Sequence, residues 1–125
     1  MQEVIGREQW GGFVKEFNSR NEMRATRLEI LGDDIGAQEE EQLLPLTGLS
    51  LEEKGADAPR IEISLGGETA KEERHLTRMI PRVRQIMRQI GDDLREQSLL
   101  IEDGEGNQTI LIFEKLAELE AAASQ

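Results

Sequence analysis

Five arginines, Arg74, Arg78, Arg82, Arg84 and Arg88, fall within fifteen residues and surround the chain's single histidine, His75. A guanidinium presents a planar fork of donors that matches carboxylates and phosphates, so such a stripe can hold an acidic protein, a phosphorylated ligand or RNA. An imidazole among them could serve as a general base, a metal ligand or a pH sensor. Neither role finds its usual company here. The chain has no cysteine and no second histidine, and no carboxylate is arranged locally around His75. A structural or surface histidine therefore ranks ahead of a catalytic one. With 26 acidic residues against 15 basic ones, pairing of the stripe inside the molecule also ranks ahead of external binding. If the stripe does bind a partner, the residues that carry the contact are Arg74, His75, Arg78, Arg82, Arg84 and Arg88.

Other constellations carry less. Asp33-Asp34, Asp92-Asp93 and the turn Glu102-Asp103-Gly104-Glu105-Gly106-Asn107 offer oxygen ligands. None has the alternating ligand loop and distal bidentate glutamate of a calcium hand, and turn geometry already accounts for the glycines and Asn107. Gly11-Gly12, Gly66-Gly67 and the Gly104/Gly106 pair form neither a Walker loop nor a dinucleotide fingerprint, and a serine nucleophile elbow is missing. The expectation is no catalytic residue, no cofactor and no metal.

At 125 residues the chain fits one domain, placed at residues 1–114, with an acidic C-terminal tail at 115–125 that is a frayed helix or is ordered by a partner. A formal charge of -11 disfavours duplex DNA. RNA or ribosome association through the arginine stripe is a weaker alternative, because no aromatics interleave with it to stack bases. Disulfides and cysteine-ligated metals are excluded. No segment approaches the ~18 apolar residues of a membrane span, and the N-terminus lacks a signal-peptide pattern. A soluble cytoplasmic protein is expected.

The elements that must position these groups follow from periodicity. Trp10, Phe13, Val14 and Phe17 share one stripe of a helix. Gly11 and Gly12 inside it, each costing about 1 kcal/mol against alanine, suggest a close approach to a sheet or a shorter helix. Thr26, Leu28 and Ile30 alternate as in a half-buried strand, and residues 41–50 read as a second strand with Pro45 at an edge or bulge. Ile61, Ile63 and Leu65 give the cleanest alternation. His75–Ile80 is a further strand, with Leu76 and Ile80 on one side and Thr77 and Met79 on the other. Over residues 81–90, Pro81 at a first turn, the spacing of Val83, Ile86, Met87 and Ile90, and Gly91 as a cap place a short helix slightly ahead of a strand. Two apolar runs flanking the acidic glycine turn between Ser98 and Phe113 form a β-hairpin.

Laid in order, Arg7-Glu-Gln-Trp-Gly-Gly-Phe13, Leu44-Pro-Leu-Thr-Gly-Leu-Ser50, Ile61-Glu-Ile63, His75-Leu-Thr-Arg78 and Ile101–Phe113 make the chain resemble a small bacterial family catalogued as a domain of unknown function. The resemblance covers about residues 5 to 114 and implies no activity, cofactor or substrate.

The expected fold is α+β: an N-terminal amphipathic helix on a twisted, mainly antiparallel sheet of about five strands, curled toward a small, partly open barrel. The expected function is a non-catalytic binding or accessory protein attached to a larger protein assembly. The alternative is a small-ligand-binding protein or enzyme with a pocket between helix and sheet near His75 and Arg78.

Overall fold

A computed structural model describes residues 1–32, 43–66 and 75–114, together with the backbone of 36–39. The chain opens with strand β1 (Gln2–Val4) and a 3-10 turn at Arg7–Gln9, then enters helix α1 (Trp10–Asn21). Eight strands follow: β2 (Ala25–Gly32), β3 (Gly36–Glu39), β4 (Leu44–Glu52), β5 (Arg60–Gly66), β6 (His75–Ile80), β7 (Val83–Ile90), β8 (Glu96–Asp103) and β9 (Gln108–Phe113).

The helix forms where the apolar period predicts it. Trp10, Phe13, Val14 and Phe17 are all buried, the Trp10 indole donates to the Ile5 carbonyl at 3.0 Å, and Phe17 bridges Phe13 and Phe113 at ring separations of 5.6 and 5.8 Å. Gly11 and Gly12 make no close approach: both are exposed, and a Cβ at either would meet nothing within 4 Å. The expected reason for them is therefore wrong.

The strands pair antiparallel in the order β1-β7-β8-β9-β2-β4-β5-β6, with β3 added against β2. The expected antiparallel α+β architecture stands, but the sheet has eight strands along this path instead of about five, and it is open, ending at β1 and β6. It curls without closing as a barrel. β4 touches β2 only through Ala25↔Pro45 and Thr26↔Leu44, and there β4, β5 and β6 turn away as a wing that covers the inner face of the larger sheet. Pro45 sits in this short pairing, one residue before the bulge between Leu46 and Gly48, where a missing N–H costs least. Ile61, Ile63 and Leu65 from the wing join Leu28, Ile86, Leu99, Ile101, Leu111 and the helix aromatics in one buried cluster.

Residues 81–90 correct the sequence reading: Val83–Ile90 form strand β7, with Pro81 and Arg82 in the link before it, and no helix forms there. Val83 faces Asp103, but Gln85 and not Arg84 faces Glu102, so Arg84 is an extra residue in a bulge. That insertion puts the buried Val83 and Ile86 three apart, a spacing that imitates a helical turn. After it, Ile86, Arg88 and Ile90 resume the two-residue period. The loop at Asp33-Asp34, the start of the second strand at residues 41–42, the connection 67–74 and the tail 115–125 lie outside the described residues.

Candidate binding face and the arginine stripe

The sheet disperses the arginine stripe. Arg74 lies outside the described residues, and His75 is exposed at the start of β6, in register with Gly66. Arg78 points to the inner side, where its Nε donates to Thr109 Oγ1 at 3.4 Å. Arg82 is in the link between β6 and β7 and pairs with Asp57 at 3.0 Å and Glu105 at 3.2 Å. Arg84 pairs with Glu102. Arg88 returns to the inner face and holds Glu3 at 3.0 Å and Glu96 at 3.2 Å, its guanidinium 5.8 Å from the centre of the Phe13 ring. Alternation along β6 and β7 thus sends neighbours in sequence to different faces, and the five described residues of the stripe do not converge on one site.

Arg88 instead belongs to an ionic hub that the sequence did not reveal. Glu96 is 3% exposed and its Oε1 accepts from Arg20 Nε at 2.9 Å and Nη2 at 2.5 Å, and from Arg88 Nη1 at 3.2 Å. Burial by itself pushes the Glu96 carboxyl up. The Arg20 hydrogen bond, a backbone hydrogen bond of Glu96 and the charges of Arg20 and Arg88 outweigh that effect and hold it below the usual glutamate range. Beside this hub, α1, β1 and β7 leave a cavity of about 420 Å3, walled by Glu3, Glu8, Gly12, Phe13, Arg20 and Arg88. It lies between helix and sheet as expected of a ligand pocket, but its walls include neither His75 nor Arg78.

The acidic turn between β8 and β9 is engaged with its own backbone. Asp103 Oδ1 accepts from the amides of Glu105 at 2.9 Å and Asn107 at 3.0 Å, and Asp103 Oδ2 accepts from Asn107 Nδ2 at 3.4 Å. Among the described residues no group of three or more His, Cys, Asp or Glu side chains could hold a metal ion.

The outer face of the larger sheet is the feature that sequence reading missed. Register carries one row straight across it: Val4 on β1 faces Met87 on β7, Met87 faces Leu100 on β8, and Leu100 faces Ile110 on β9. Val4 is 57% exposed, and Met87, Leu100 and Ile110 are half-buried. The row continues to Glu29 on β2. The flanking rows begin polar and end apolar: Gln2, Gln89 and Ser98 and then Ile112 on one side, Gln85, Glu102 and Gln108 and then Leu31 on the other. Ile110 and Ile112 also line an open cleft of about 780 Å3 with Arg24, Asp93, Arg95 and Ser98. An antiparallel sheet with one wet face is expected to be polar there, so a four-strand apolar row needs another account. The signal was available in Leu99-Leu100-Ile101 and Ile110-Leu111-Ile112-Phe113, because an unbroken apolar run in a strand greases both faces.

Among the described residues these features define one helix and an open, curled antiparallel sheet, whose core is covered on one side and whose outer face carries an apolar row with no described element over it. The chain belongs to a family of unknown function, DUF5335, whose model matches residues 1–122. No curated protein and no solved structure matches it. No described helix is long and apolar enough to cross a membrane.

Proposed function

We propose that this chain is a non-catalytic accessory protein that attaches to a larger protein assembly through the outer face of β1, β7, β8 and β9. The observation that carries the reading is the row Val4, Met87, Leu100 and Ile110, which lies in register across four strands with no element of the described chain over it. Contiguous apolar surface rimmed by polar groups is what protein interfaces are built on. Arg82, Arg84 and Arg88 would have to give up carboxylate partners before they could bind RNA, so the apolar row supports protein attachment better than the stripe supports nucleic acid. A photo-crosslinking residue placed at Met87 in the native cell is expected to trap a discrete adduct that one at Thr77 does not. Loss of that adduct on Leu100→Glu would tie it to the row, and equal trapping at both positions would reject the face.

The cavity of about 420 Å3 supports a second reading, a small-ligand-binding protein with its site between α1, β1 and β7. Gly12 forms part of its wall with open space around it, so Gly12→Leu should block a ligand there without disturbing the core. A ligand that bound the wild type and Gly12→Leu equally well would remove this alternative.

A further inference from the structure

The loop after α1 and the turn between β7 and β8 bring two arginines, Arg24 and Arg95, to one cleft. The Arg24 guanidinium lies 4.3 Å from the centre of the Phe113 ring, and its Nη1 donates to Asn21 Oδ1 at 2.9 Å and to the Glu96 carbonyl at 2.8 Å. Among the described residues its Nε and Nη2 have no hydrogen bond, so the group is fixed at one corner while the edge suited to a bidentate oxyanion stays free. Arg95 closes the turn, its carbonyl accepting from the Gly91 amide at 2.9 Å, and its side chain has no hydrogen bond or ion pair among the described residues. Burial first, and then the charge of Arg95, push the Arg24 guanidinium below the usual arginine range, while Glu96 and Asp93 act the other way. Neither acid closes an ion pair with the two arginines: Glu96 Oε1 takes Arg20 and Arg88, and Asp93 Oδ1 takes the Arg95 amide at 3.0 Å. Glu114, also on the cleft, is held by Arg27 at 2.9 Å. With 26 acidic residues against 15 basic ones, two arginines that share a cleft and hold no carboxylate run against the composition of the chain.

We propose that Arg24 and Arg95 bind the carboxylate of a small molecule whose apolar chain lies along Ile112 and Ile110. The cleft that holds all four residues measures about 780 Å3, a size that small-ligand sites commonly have. Between Phe113, beneath Arg24, and Ile110 the strand advances about 10 Å, which gives an alkyl chain an apolar floor to follow away from the charged end. Glu29 is the register partner of Ile110 and also lines the cleft, so the far end repels a second anionic group and selects a monocarboxylate over a dicarboxylate. Asp92 and Asp93 on the rim disfavour a phosphate monoester, which carries nearly two negative charges at pH 7, more than a singly charged carboxylate. The site rests neither on the attachment face nor on the cavity between α1, β1 and β7, and it stands or falls by itself.

The test titrates the full chain by calorimetry at low salt with octanoate, acetate, octylammonium, octanedioate and octyl phosphate. Octanoate is expected to bind, and each of the others at least roughly tenfold more weakly. Arg95→Gln, at an exposed position, should weaken octanoate roughly tenfold with the circular dichroism spectrum unchanged, and Arg95→Lys should lose less. Arg24→Gln provides a second variant at the charged end and Ile112→Gln one along the floor. Glu29→Gln should bring octanedioate close to octanoate. If octanoate does not bind, or binds the wild type and Arg95→Gln equally, the carboxylate site is overturned. Octylammonium binding as tightly as octanoate would reduce the cleft to an apolar surface, and tighter binding of octyl phosphate would give the arginines to a phosphate. Acetate binding as tightly as octanoate would leave the isoleucine floor without a role. Octanoate binding that emerges only after removal of residues 115–125 would give the cleft to the chain's own C-terminal segment. Each of these results overturns the proposal.

Discussion

The Asn18 carboxamide binds the backbone of Leu49 at both ends: its Nδ2 donates to the Leu49 carbonyl at 2.8 Å and its Oδ1 accepts from the Leu49 amide at 2.8 Å. β4 pairs with β2 through only two residues, so beyond Leu46 that edge of β4 has no strand beside it among the described residues. One side chain of α1 takes the place of a strand neighbour and satisfies an edge that would otherwise stay open.

Asn18→Ala removes a donor and an acceptor together and leaves the Leu49 amide and carbonyl under the helix without partners. Unpaired groups of this kind cost about 1–3 kcal/mol, and chemical denaturation of the variant should show a loss in that range. Asn18→Asp keeps the acceptor and should lose less. A variant as stable as the wild type would mean that α1 is held by its aromatic stripe alone.

The Glu96 hub makes a prediction about pH. Its carboxyl titrates below the ordinary value of 4.5 in the folded chain, so the unfolded chain binds its proton first as pH falls. The stabilisation is therefore complete well above pH 4.5 and is lost as pH drops from there through the folded value. Glu96→Gln keeps the shape but leaves Arg20 and Arg88 without their shared carboxylate. Breaking a fully buried pair costs more, but Arg20 is 39% exposed and water screens part of the loss. A deficit of about 1–3 kcal/mol at pH 7, shrinking on acidification below pH 4.5, is expected from urea unfolding at several pH values. A deficit that does not change with pH would assign the loss to packing.

Gly11 and Gly12 invite the opposite experiment. Both are helical and exposed, with open space where a Cβ would be. Replacing a helical glycine with alanine removes backbone freedom from the unfolded chain. Gly11→Ala is expected to raise stability by about 0.5–1 kcal/mol, read as a higher midpoint of thermal unfolding. Gly12→Ala should do the same, and because Gly12 borders the cavity beside the ionic hub, a stabilised variant that lost binding of a ligand would locate that ligand's site.

Sequence patterning disclosed the parts of this fold where one rule acted alone. The i, i+3, i+4, i+7 stripe from Trp10 to Phe17 became α1, and the strict alternation of Ile61, Ile63 and Leu65 became a buried strand. It failed where two rules competed. At Arg84 a bulge shifted the phase of a strand and produced a helical spacing, and β1 holds only Gln2, Glu3 and Val4, too few residues to show any period. The outer row was hidden for a different reason: Met87, Leu100 and Ile110 look like core residues in sequence, and only cross-strand register reveals that they share the outer face. Ion pairs such as Glu96 with Arg20, 76 residues apart, leave no local pattern at all.

The hairpin turn between β8 and β9 carries the last prediction. Asp103 is 9% exposed, and its Oδ1 gathers the amides of Glu105 and Asn107 while its backbone carbonyl accepts from Gly106 at 3.1 Å. Gly106 takes a φ of +87°, where a side chain is strained. The two residues make one device: Asp103 supplies the acceptors that hold the loop, and Gly106 supplies the backbone reversal that lets both amides reach them. Asp103→Ala should cost about 1–3 kcal/mol by freeing those amides, and Gly106→Ala about 1 kcal/mol by strain. Because both substitutions disable the same turn, their costs in the double variant should fall short of the sum. Full additivity in a double-mutant cycle would show that the carboxylate and the glycine act independently.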